Sequence, residues 1–110
     1  MPAPMTDAIL VLVTAPTADK AAELARTLVE EQLAACGNVV PGLRSIYRWE
    51  GKVHDDAEAL LLLKTERRLL EPLKARLPAL HPYQVPELLA LPVEGGLAPY
   101  LEWIAASVRP

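Results

Sequence analysis

The sequence predicts an α+β fold, a sandwich of one antiparallel sheet and its helices in the order β-α-β-β-α-β-α, and three observations carry that expectation. The apolar runs Ala8 to Thr14 and Ala59 to Leu63 have the length and the Val, Ile and Leu content of buried strands. Two other stretches, after Thr17 and after Glu66, repeat apolar residues at helical spacing. Between them, residues from Val39 to Trp49 alternate with a period of two and run into the turn residues Glu50, Gly51 and Lys52. At 110 residues, two halves would each be too small to bury an adequate core, so residues 8–110 are expected to form one domain behind a loose tail, residues 1–7.

Each element has a local reason. Ala8 to Thr14 is the first strand. Thr17 is placed to cap the first helix, with Asp19 well set against its dipole. Ala21, Leu24, Ala25, Leu28, Val29, Ala35 and Cys36 then gather on one side, and Gly37 is expected to end the helix in the left-handed conformation. Gln32 falls amid that apolar face, where its amide needs a partner. In the second strand Leu43, Ser45, Tyr47 and Trp49 share a side, and Pro41 with Gly42 should bend or interrupt it near its start. Val53 to Thr65 returns as the third strand, so the hairpin is longer than most.

Leu69, Leu70, Leu73, Leu77 and Leu80 mark the second helix. Pro72 suits only a first turn, which puts the regular helix from about Glu71, and Pro78 loosens its far end. Gln84 to Val93 is expected as a fourth strand, and Pro86 and Pro92, which lack amide donors, point to an edge position or to strand termini. Pro99 opens a last helix that runs through Trp103 and Ile104 to Val108. This order is the split βαβ, ferredoxin-like arrangement with an added C-terminal helix. Such a fold does not specify an activity.

Bulk properties narrow the function. A net charge of -3 and a pI near 5.3 give no general attraction to phosphate backbones or anionic membranes, so neither nucleic acid nor membrane is an expected partner. The same strand order occurs in RNA-recognition domains, yet the third strand reads EALLLLKT and lacks their stacking aromatics. The single Cys36 and the lack of a leader pattern point to the cytoplasm. There is no G-x-S-x-G elbow, phosphate loop, dinucleotide glycine pattern or H-E-x-x-H helix, and the expectation is a binding protein rather than an enzyme. A thiol nucleophile built from Cys36 and His81 has nothing in the sequence to bring the two within reach.

Several segments together are more specific. LAACGNVVPGLRSIYRWEGKV from Leu33 to Val53, LLLLKT from Leu60 to Thr65, HPYQVPELLALPV from His81 to Val93 and PYLEWI from Pro99 to Ile104 occur in a characteristic order, after TAP at Thr14 to Pro16. In these the chain resembles the CutA divalent-cation tolerance family. The resemblance implies a homotrimer similar to PII signalling proteins and a role in copper or other divalent-ion tolerance. The long hairpin agrees with assembly, because its edges and the rings of Tyr47 and Trp49 have no evident partners in one subunit. The strand Arg44 to Trp49 and the last helix are the expected interface; the other reading packs both rings inside their own subunit.

By the same resemblance, His81 is the candidate ligand for copper(II) or another divalent ion, against a second reading as a loop histidine bonded to backbone. This chain departs from the copper-associated pattern, since Val13 and Leu80 stand where some members carry cysteine and a second histidine. Cys36 reads as a small buried hydrophobe. His54, Asp55, Asp56 and Glu58 offer hard oxygen donors but read better as a solvated hairpin, because alternation separates Asp55 from Asp56. The family's shared motifs also imply a cleft between subunits in which Lys64, Tyr83, Glu87 and Trp103 join Tyr47, Trp49 and His81 around a small anionic or amphipathic ligand. In the other reading Lys64 and Glu87 form a structural salt bridge.

Overall fold

A computed structural model describes residues 6–110. Residues 1–5 of the expected tail lie outside the described residues, while Thr6 and Asp7 are tied down. The Thr6 hydroxyl accepts from the Ala8 amide at 3.1 Å, and the Asp7 carbonyl accepts from the Arg67 amide at 2.9 Å.

Four strands form one antiparallel sheet. They are β1 (Ala8–Ala15), β2 (Cys36–Trp49), β3 (Lys52–Glu66) and β4 (Leu89–Pro92), in the spatial order β2-β3-β1-β4. The helices are α1 (Ala18–Glu30), α2 (Leu70–Leu80, after a 3-10 turn at Arg67–Leu69) and α3 (Ala98–Ser107). The element order is the expected one. Val11 and Val13 of β1, Leu61 and Leu63 of β3, Leu24 and Leu28 of α1, and Leu73 and Leu77 of α2 meet in one buried core, which Ile104 and Val108 at the C-terminus join.

Helix α1 starts as predicted, with the Thr17 hydroxyl accepting from the Lys20 amide at 3.0 Å. It stops earlier than its apolar stripe suggests, at Glu30 rather than beside Cys36. Gln32 takes the left-handed conformation with φ of 59°. The Leu33 amide reaches back to the Leu28 carbonyl at 2.9 Å and the Gln32 amide to Val29 at 3.0 Å, the paired bonds of a Schellman cap. Gln32 therefore belongs to the cap and not to the apolar face. Leu33 and Leu28 are both buried in the core, the apolar character that accompanies this motif.

Gly37 accordingly has another purpose than the one expected of it. It lies in β2, where a Cβ would stand 2.7 Å from the Ala25 Cβ, so glycine is what lets the strand approach α1. Cys36 is the first residue of β2, half-buried and opposite Lys64, and does not lie on a helix.

The register of β2 on β3 shifts between Val40 and Leu43, where Pro41 and Gly42 bulge and Gly42 has φ of 83°. Cys36 and Val40 face Lys64 and Leu60, and after the bulge Leu43, Ser45, Tyr47 and Trp49 face Glu58, Asp56, His54 and Lys52. One extra residue thus returns the odd-numbered half of β2 to the face that its even-numbered half left. The tip is a two-residue turn with both central residues left-handed, Glu50 at 50° and Gly51 at 77°.

Strand β1 pairs only with Ala59 to Glu66 of β3, so the distal half of the hairpin projects past the sheet. Strand β4 is shorter than the expected Gln84 to Val93. Pro82 and Pro86 cannot donate, and the chain instead turns around His81 and joins β1 only from Leu89. Helix α2 begins one residue before the expected Glu71, with Pro72 in its first turn, where its missing N–H would have no helical acceptor.

Candidate functional site

The hairpin and the loop after α2 enclose an open groove of about 720 Å³. Tyr47 and Trp49 of β2 and Glu58 of β3 form one wall, because the bulge at Pro41 and Gly42 sets all three on the same sheet face. Tyr83, Val85 and Glu87 form the other.

His81 holds that second wall in place. It is 7% exposed. Its Nδ1 accepts from the Tyr83 amide at 3.1 Å, so Nε2 carries the proton and donates to the Thr14 carbonyl at 2.8 Å. Its ring packs on Tyr83 with centroids 4.7 Å apart. Both nitrogens are engaged, and a metal at either would have to displace one of these bonds. The loop-histidine reading describes His81 in this structure. Among the described residues no three His, Cys, Asp or Glu side chains converge as a cation site.

The groove's polar lining mixes donors, on Thr14, Ser45, Trp49 and Gln84, with the carboxylates of Glu58 and Glu87. The Tyr83 hydroxyl donates to Glu58 Oε2 at 2.6 Å, and the Tyr47 hydroxyl donates to Asp56. Burial, and then the bond to Glu58, push the Tyr83 phenol well above its usual range, while the bond to Asp56 raises Tyr47. Glu87 is pushed up by burial and then by the charge of Glu58. Among the described residues no Lys, Arg or His side chain of this one subunit lines the groove; Lys52, across from Trp49, lies at the exposed tip.

Within one chain the sequence-predicted set divides in two. Tyr47, Trp49, Tyr83 and Glu87 share the groove, and His81 backs it. Lys64 lies instead beside α3, its Nζ donating to the Tyr100 hydroxyl at 3.2 Å and sitting 5.5 Å from that ring's centroid. Tyr100 in turn packs on Trp103, which lines a separate shallow depression with Cys36 and Val29. The Lys64–Glu87 salt bridge is not formed. Glu58, read as part of a solvated turn, belongs to the groove; its place opposite Leu43 across the bulge is the signal that would have found it. The rest of that acidic stretch is occupied locally. Asp55 receives two bonds from Arg44, at 2.8 and 2.9 Å, and His54 stacks on Tyr47 with Nε2 3.3 Å from the Trp49 carbonyl.

The family model of the CutA1 divalent ion tolerance protein matches residues 9–107. This chain belongs to the CutA1 family. A divalent-cation tolerance protein CutA of Thermus thermophilus is 54% identical over 95 residues, covering 86% of this chain and 92% of the relative. A chloroplastic CutA of Arabidopsis thaliana is 52% identical over 101 residues, and this chain spans only 56% of its length. Among solved structures, CutA1 from Oryza sativa superposes with a TM-score of 0.91 at 48% identity, covering 94% of this chain and 95% of that one. The four-stranded antiparallel sheet with three helices is thus a CutA1 fold.

Proposed function

We propose that this chain acts in divalent-cation tolerance as a homotrimer whose role is binding rather than turnover, with the groove as the ligand site. The observation that carries the assembly is the projecting hairpin. Ile46 and Val53 are 66% and 65% exposed, Tyr47 and Trp49 are 41% and 38% exposed, and β3 below Ala59 has a neighbour on one side only. The edge strand β4 adds Leu89 at 58%. Apolar side chains beside unpaired strand edges favour association with further copies. Closure around a threefold axis would cover them, and would let Lys64 and Trp103 of one copy approach the groove of another.

Copper(II) tolerance is the finer reading, and relatives named divalent-cation tolerance proteins support its general class. A second reading is a PII-like sensor or scaffold that takes a small molecule and no physiological metal. The two engaged nitrogens of His81 favour it. Sedimentation at micromolar concentration tests the assembly, and a stable, folded single subunit would rule it out. Titration of metal-free protein with copper(II), zinc(II) and a metabolite panel separates the two readings. Metal binding that disappears in His81→Ala favours the first, and saturable metabolite binding favours the second. The cytoplasmic location is part of the proposal, and cell fractionation checks it.

A further inference from the structure

We propose that Arg68 latches α3 and the C-terminal residues to the body of the subunit, and that α3 opens and closes as a unit of its own, carrying Tyr100 and Trp103 with it. The latch is thereby a conformational control on the helix expected at the interface. That consequence rests on the proposed assembly, whereas every contact of the latch lies inside one subunit.

Helix α3 holds little by itself. Its ten residues are too few for a helix to persist alone in water. Along it only Ile104 is buried, with Leu101 half-buried and Val108 buried just past its end, while α1 buries four side chains. No side chain caps its first turn and no basic residue stands in its last. Its final carbonyls therefore have no partners within the helix.

Arg68, on the turn between β3 and α2, supplies what α3 lacks. Its Nη2 donates to the Ala105 carbonyl in the last turn at 3.3 Å, and its Nε donates to the Arg109 carbonyl at 3.1 Å. Its Nη1 pairs with Glu66, buried at the end of β3, which fixes the direction of the guanidinium fork. A positive group at a helix C-terminus also meets the negative end of the dipole.

Arg109 closes the other side. Its amide donates to the Gln32 carbonyl at 2.9 Å and its Nε to the Glu31 carbonyl at 3.0 Å, both just past the end of α1. Glu31 in turn receives two bonds of 2.8 Å from Arg76 of α2. The three helices are thus tied at one point, which α3 joins through Arg68 and Arg109.

The fork matters as well as the charge. Arg68→Lys keeps a cation beside Glu66, but its donors radiate from a single nitrogen, too compact to serve Glu66 and two separate carbonyls together. Assembly through the aromatic face of α3 would grip Tyr100 and Trp103 and leave the Ala105 and Arg109 carbonyls to Arg68.

Hydrogen exchange of the whole protein, with sedimentation of the same samples, is the test. In the parent, α3 amides should exchange faster than those of β1 and β3 and respond less steeply to urea, the mark of a local opening. Arg68→Lys should speed α3 exchange by about tenfold, as loss of two charge-assisted bonds implies. Arg109→Ala, which removes only the side-chain bond to the Glu31 carbonyl, should speed it by about threefold, and carries the test if the first variant folds poorly by circular dichroism. The proposal is overturned if α3 amides exchange together with the sheet in the parent. It is also overturned if both variants leave α3 exchange unchanged, as when a neighbouring copy alone holds the helix. A trimer that falls apart at higher concentration in Arg68→Lys than in the parent supports the control over assembly. An equally tight trimer with faster α3 exchange overturns that control and leaves the latch. A single subunit with the expected exchange pattern sinks the trimer, and the latch stands.

Discussion

Replacing His81 by alanine should destabilise the folded protein by about 2–4 kcal/mol. The side chain bridges β1 to the groove loop through the Thr14 carbonyl, at 2.8 Å, and the Tyr83 amide, at 3.1 Å, and it is 7% exposed. Its removal orphans one backbone acceptor and one donor, each costing roughly 1–3 kcal/mol when water cannot reach it. The loop lies at the surface, with Pro82, Gln84 and Val85 exposed, so water will rehydrate part of the gap. The total therefore falls below the sum of two full penalties. Loss of the ring that packs on Tyr83 adds to it. Urea unfolding at one fixed protein concentration measures the change, since any assembly couples to unfolding. His81→Gln, whose amide offers one donor and one acceptor, should recover part of the loss. An alanine variant within about 0.5 kcal/mol of the parent, the scatter of ordinary surface substitutions, would refute the bracing role. Should that same variant lose copper(II) binding, His81 would be a ligand after all.

Other consequences follow from particular contacts. Gly37→Ala should cost about 1–3 kcal/mol, because its Cβ would lie 2.7 Å from the Ala25 Cβ inside the core, and the double variant with Ala25→Gly should unfold later than the single one. Gln32→Gly should raise stability by about 1 kcal/mol in the same assay, since φ of 59° strains any residue with a Cβ, and a midpoint below the parent's would contradict the cap assignment. Glu87 binds its proton more tightly in the folded protein than in the unfolded chain. It therefore subtracts stability as pH rises from its ordinary 4.5 through its raised value, and Glu87→Gln should flatten that decline and unfold later than the parent at neutral pH.

The local physics of the sequence determined the element order, the Thr17 cap, the long hairpin with Tyr47 and Trp49 on one face, and the edge position of the last strand. These depend on periodicity, on capping chemistry and on what proline cannot donate, all of which act over a few residues. The end of α1 was less legible. Its apolar spacing continues to Cys36, but Leu33 and Leu28 close a cap around Gln32, and the preference of the next segment for β3 wins over helix continuation. Gly37 looked like a terminator and proved to be a point of close approach, which depends on Ala25 across the core.

Only the tertiary structure decided the site. The bulge keeps Tyr47, Trp49 and Glu58 on one face, His81 turns both nitrogens to backbone groups far apart in the chain, and Lys64 goes to Tyr100 rather than to Glu87. The His81 bond to Thr14 and the Lys64 bond to Tyr100 are choices among long-range partners. Residue spacing indicates which side chains share a face of one element; which of them meet across elements depends on how those elements pack.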